Sequence, residues 1–126
     1  SPKLAWQNET QGAQSRGLVV EDVDLPFTHW VVYNIPPDVG GLPEGVIGQP
    51  RLQDGTAQGL NGNEVIGYIG PFPPAGERHR YSFSLYALDA LLALDPRTTQ
   101  RQVLAAMEGH LLATSELIGT YVGILP

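Results

Sequence analysis

Three histidines, a closely spaced Asp pair and one tyrosine hold most of the acid–base chemistry open to this chain. Asp22 and Asp24 close a short apolar run, and His29 follows five residues after Asp24, beyond Pro26. A second group, His79-Arg80-Tyr81, lies just past the Pro-rich stretch that opens at Gly70 and contains Pro73 and Pro74. Imidazole beside carboxylate can shuttle a proton, hold a divalent metal or bind an anion, so three chemistries are open at this point. Strand alternation would put Asp22 and Asp24 on one side, and a turn at Pro26 would fold His29 back toward them. By the same parity His79 and Tyr81 share a face, while Arg80 points the other way and is suited to pair with a carboxylate. Each residue also has a plainer role: Asp caps its own backbone at strand ends, and a buried Tyr is first of all a core aromatic. His110, three residues after Met107, reads as a structural residue on a helix.

The elements that must position these groups are mostly strands. GLVVED (17–22) and WVVYNI (30–35) are rich in β-branched and aromatic residues, and YSFSLYAL (81–88) alternates with period two. Thr99, with Gln102 three residues on, forms a capping box that opens a helix, along which Val103, Leu104, Met107 and Leu111 share a face and which carries Gly109 within it. Leu117–Leu125 reads as a last strand, and the Gly-rich stretch 40–62, with little periodicity, as a long surface loop.

Composition narrows the field. Fifteen Gly and eleven Pro among 126 residues argue against a helical bundle, and the length with 42% hydrophobic residues suits a single domain spanning 1–126. Seven Lys and Arg against thirteen Asp and Glu leave a net charge of −6, unfavourable for nucleic acid or an anionic membrane surface. With no cysteine, disulfides, thiolate nucleophiles and Cys-based metal sites are excluded. No apolar run is long enough for a helical membrane span, so no integral membrane association is expected. SPKLAWQNET has neither a basic start nor an apolar block, and a cytoplasmic location is the expectation.

In order along the chain, SPKLAW, VEDVDLP, FTHWVVYNIP with LPEG after it, GPFPP, HRY and ELIGTY resemble the phosphatidylethanolamine-binding protein family, which includes the Raf kinase inhibitor proteins and bacterial relatives. The resemblance covers 1 to about 121 and implies a β-sandwich-like fold with one or two short helices and a small anion-binding pocket. Matched residue by residue, Asp22, Asp24, Pro26, His29, Pro73, Pro74, His79 and Tyr81 would line that pocket, with Gly70 opening the loop. Val23 stands where the family carries Pro, the loops near Pro26 and before His79 are shortened, and the strand that usually precedes SPxLxW is missing. A sheet edge would then be bare, a situation compatible with a homodimer.

The function this resemblance implies is binding of a phosphate-bearing or other anionic small ligand, with a kinase or protease as a conceivable protein partner and no cofactor. Two carboxylates beside an anion demand compensating donors. Since an unperturbed imidazole titrates near pH 6.5, phosphate should bind more tightly near about pH 5.5 than near about pH 8. The alternatives are an acid–base hydrolase using a His–Asp pair and a metal site of two His and two Asp. Neither a nucleophile elbow, a P-loop nor HExxH supports the enzyme.

Overall fold

A computed structural model describes residues 1–7 and 9–123. Seven strands and one helix follow in the order β1 (Leu4–Ala5), β2 (Ser15–Asp22), β3 (Phe27–Ile35), β4 (Gly41–Leu42), β5 (Ala57–Gln58), β6 (Arg78–Leu88), α1 (Gln100–Met107) and β7 (Leu111–Val122). Five of them form one antiparallel sheet in the order β5-β3-β2-β6-β7, and β1 pairs with β4 in a separate ribbon. The three strands expected from β-branched and aromatic runs are β2, β3 and β6, and they are the middle of the sheet.

Two apolar layers sandwich the sheet. On one face Leu18, Val20, Trp30, Val32 and Ile35 pack with Leu42, Leu4 and Trp6 from the ribbon side. On the other, Val31, Tyr33 and Leu88 pack against Val103 and Met107 of α1. Fully burying each such aliphatic side chain stabilises by about 1.5–3 kcal/mol, so this double layer, not the helix's own propensity, holds α1 in place.

Register along β2 and β3 is broken twice. The partner of Val20 is Trp30 and that of Glu21 is Thr28, so His29 has no opposite number; a second irregularity lies between Arg16 and Leu18. Each such bulge locally re-aims side chains. At the second one Asn34 adopts a left-handed backbone (φ 54°), held by two hydrogen bonds between its amide and the Leu92 backbone. Asn is among the few non-glycine residues that enter this region readily.

The stretch 40–62 departs from a plain loop. It contributes β4 and β5 and is anchored by the buried side chain of Gln58, which accepts from the Trp30 indole (2.7 Å) and donates to the carbonyls of Ile47 and Gln49. The capping box at Thr99 forms as expected, but α1 ends at Met107. Gly109 (φ 82°) reverses the chain, so Leu111 begins β7 instead of extending the helical face. His110 sits in that turn and pairs with Asp89 at 2.8 Å, not on a helix. The last strand therefore starts at Leu111, six residues before the expected Leu117; the final part of the expected span lies outside the described residues. β7 forms an edge of the sheet, with Leu117 and Ile118 largely exposed.

Candidate functional site

Asp22 is the anchor. It ends β2, is buried, and sits opposite Tyr81 of β6 and Phe27 of β3. Its Oδ1 accepts the backbone N–H groups of Asp24 (2.9 Å) and Leu25 (3.0 Å), capping the turn that follows. Its Oδ2 accepts from Nδ1 of buried His79 at 2.6 Å. The second His79 nitrogen meets the exposed carboxylate of Glu77 at 3.2 Å. These two hydrogen bonds, the Asp22 one foremost, raise the His79 pKa above its ordinary value against the opposing effect of burial. Both contacts therefore favour the imidazolium form of His79 over the neutral ring.

His29 reaches the same place from the bulge in β3. Its Nδ1 contacts the Ile69 carbonyl at 2.7 Å, the geometry of an N–H donor to a carbonyl, leaving Nε2 for other partners. Its ring lies edge-on between Phe27 (centroids 5.0 Å apart) and Tyr81 (5.4 Å). Tyr81 is buried, and among the described residues its hydroxyl makes no hydrogen bond of full geometry, although the Asp22 carboxylate lies near enough to act on it as an acceptor. Burial first, then the nearby Asp22 carboxylate, push its pKa up to about 12, so it remains a donor at any ordinary pH.

Two cavities flank the His29 ring. One, about 200 Å³, lies between His29, Tyr81, Tyr68, Pro71 and the end of β7 at Thr120 and Tyr121. The other, about 210 Å³, is bounded by Asp22, His29, Phe27, Ile69 and the strongly exposed ring of Phe72. His29 is shared by both, and a buried donor beside a walled space is what a small polar ligand needs.

Of the residues named from sequence, Asp22, His29, His79 and Tyr81 come together. Asp24 does not. β2 stops at Asp22, the turn turns Asp24 outward, and its carboxylate takes the Arg80 guanidinium (Nη2–Oδ1 2.8 Å) and the Arg80 backbone N–H (2.7 Å). The Arg80 hydrogen bonds hold the Asp24 carboxyl below the usual carboxylate range. The expectation that Arg80 faces away and pairs with a carboxylate holds; the expectation that both Asp share a side does not, because alternation ends with the strand. Pro26 sits exposed in the same turn, at neither cavity. In the Pro-rich loop the wall residues are Pro71 and Phe72. Pro73 and Pro74 instead receive the C-terminal strand: a Cβ on Gly123 would run into both their carbonyl oxygens. Gly70 stands in the chain between Ile69 of one cavity and Pro71 of the other and lines neither.

Tyr68, Ile69, Glu77, Thr120 and Tyr121 were not foreseen as parts of the site. Glu77 is two residues from His79, a spacing that a strand start makes productive; the others arrive through pairing that no local pattern announces. With Asp24 turned away, the two-His, two-Asp set is not assembled, and among the described residues no group of three His, Asp or Glu is arranged to hold a metal.

The model of the family described as phosphatidylethanolamine-binding protein matches residues 1–122. The chain belongs to this family. Among similar proteins, a UPF0098 protein of Methanothermobacter thermautotrophicus is 49% identical over 124 residues, covering 96% of this chain and 82% of the relative. A UPF0098 protein of Chlamydia muridarum is 43% identical, covering 96% and 81%. Among solved structures, the phosphatidylethanolamine-binding protein homolog CT736 of Chlamydia trachomatis superposes with a TM-score of 0.84 at 41% identity, covering 96% of this chain and 80% of that one. YbcL of E. coli, described as a member of the mammalian family, superposes at 0.81 with 30% identity, covering 97% and 79%. The mainly-β fold expected from sequence, with one or two short helices, is that of the family, and α1 is the one α-helix among the described residues. No helix among the described residues is long and apolar enough to cross a membrane.

Proposed function

We propose that this chain binds small phosphate-bearing or other anionic ligands at the His29–Tyr81 cavities, as a binding module and not as an enzyme. The observation that carries the reading is the buried Tyr81 hydroxyl, which lies near the Asp22 carboxylate but makes no hydrogen bond of full geometry among the described residues, beside the histidine that lines both cavities. A buried hydroxyl left unpaired costs about 1–3 kcal/mol, which a ligand oxygen would recover. With Nδ1 donating to Ile69, Nε2 of His29 accepts in the neutral ring and becomes a second donor only when the imidazole takes up a proton.

The two-carboxylate problem posed by the sequence is reduced by geometry. Asp24 is neutralised by Arg80 outside the site, and Asp22 is held by His79 and two backbone N–H groups. Even with His79 protonated, the carboxylates of Asp22 and Glu77 leave this cluster one negative charge in excess. An incoming phosphate therefore gains when His29 or the phosphate itself carries an extra proton, so affinity should rise as pH falls from about 8 to about 5.5. Catalysis by His79 is disfavoured because Asp22 and Glu77 occupy both of its ring nitrogens, leaving none to take a substrate proton.

The test is titration with inorganic phosphate and with phosphoethanolamine, observing imidazole protons by NMR. Saturable shifts at His29, tighter at the lower pH and lost in Tyr81→Phe, are the expected result. Tighter binding of phosphoethanolamine than of phosphate would identify a headgroup ligand. Silence of His29 towards both ligands, or affinity flat with pH, would sink the reading.

A further inference from the structure

Far along the same sheet face from Tyr81, a second site takes shape around Arg16. β2 alternates so that Arg16, Leu18, Val20 and Asp22 face the ribbon side, and three of these four fit the surroundings: two aliphatics in the apolar layer and a neutralised carboxylate. Arg16 does not. It is 1% exposed, and a guanidinium stays charged even when buried. Its Nη1 donates to the Pro37 carbonyl at 2.6 Å, but Nη2 has no hydrogen-bond partner, and the four ion pairs among the described residues do not include it. Burying a cation with its hydrogen bonding incomplete is expensive, and a protein keeps such a group where something else completes it.

The space for that something is present. Across the sheet Arg16 pairs with Ala87, and Ala87 with Ala113, so the row beside the guanidinium consists of two short side chains. Trp6, Thr10 and Ser115 close the rest of a cavity of about 380 Å³, of which Arg16 is a lining residue. We propose that this cavity is an anion site separate from the His29–Tyr81 site, and that it takes a small organic monocarboxylate. One carboxylate matches one guanidinium in charge and can use its fork of donors, whereas a doubly charged phosphate would leave an uncompensated charge against Trp6, Leu85 and the two alanines. The hydroxyls of Thr10 and Ser115 are available as further donors, and the indole face gives the ligand's apolar body a wall.

Benzoate is the probe. Thermal unfolding is followed with sodium benzoate, at up to about 20 mM, against sodium chloride at equal ionic strength, for the unaltered chain, Arg16→Met and His79→Ala. The unaltered chain should gain several degrees in Tm with benzoate and none with chloride. Arg16→Met should melt higher than the parent without ligand, because a poorly satisfied buried charge is gone, and should show no benzoate gain. His79→Ala should keep the gain, so that failure of the phosphate site and failure of this one are distinguishable. In parallel, the Arg16 Nε–Hε resonance of the unaltered chain should shift saturably, a readout that survives if the Met variant does not fold. An unmoved Arg16 resonance, or equal benzoate gain with Met at position 16, overturns the proposal.

Discussion

Asp22 and Asp24 are the same residue two positions apart, and each meets a cation from consecutive residues of β6, yet they do opposite things. Asp22 is buried, binds His79, caps two backbone N–H groups and stands under Tyr81 at a cavity. Asp24 lies in a turn with Arg80 at the surface, where the pair is half-exposed and screened. One strand end separates a site residue from a surface clip. The difference teaches that alternation along β6, which sends His79 and Arg80 to opposite faces, sorts the two carboxylates more strictly than their own spacing does.

Four experiments bear on that contrast, and the strongest should be Asp22→Ala. It leaves two turn N–H groups without their acceptor and His79 without its counter-charge in a buried site, so the loss read from urea unfolding should be roughly 3 kcal/mol. A fall no larger than that of a surface variant would erase the distinction between the two aspartates. Next is pH. His79 has a folded pKa raised above its unfolded value of 6.5, so its pairing contributes fully below about 6.5 and is lost as pH rises through the raised value. Tm should therefore decline on the alkaline side, and His79→Asn should flatten that decline. Should the two profiles coincide, the imidazolium assignment fails.

Smaller in stability but decisive for function is Tyr81→Phe. Removing an unpaired buried hydroxyl should raise stability by about 1 kcal/mol while abolishing phosphate-dependent shifts at His29. A variant that loses stability would mean that the hydroxyl already has a partner. Smallest of all is Asp24→Asn, which should move Tm by no more than about 2 °C at neutral pH. Because Arg80 lowers the Asp24 pKa, whatever that pair adds is present at neutral pH and lost only as pH falls below the ordinary carboxylate range.

Much of this was legible in the residues. The interior strands announced themselves because each is buried on at least one face and carries the β-branched or alternating pattern that burial selects, and Thr99 with Gln102 fixed the helix start. His29, His79 and Tyr81 could be grouped because each stands at or near a strand end. The helix end was misjudged because Leu111 continues the helical spacing, and only the left-handed backbone at Gly109 stops it. β7 was read short because an edge strand exposed on both sides lacks a core pattern along most of its length. Arg16, lying in an apolar run's approach, gave no sign of being buried, since its neighbours across the sheet are set by pairing between residues 71 positions apart.

One detail of β3 reaches further. Across from β2 every flanking residue of His29 has its partner, Thr28 with Glu21 and Trp30 with Val20, and His29 alone is surplus. Cut His29 out, and the ladder from Phe27 to Val32 would close in regular register with Phe27 still opposite Asp22 and Trp30 still opposite Val20. In the language of text, the ligand-facing histidine is an inserted letter, not a changed one: the word already spelled a sheet, and the addition gave it something to hold.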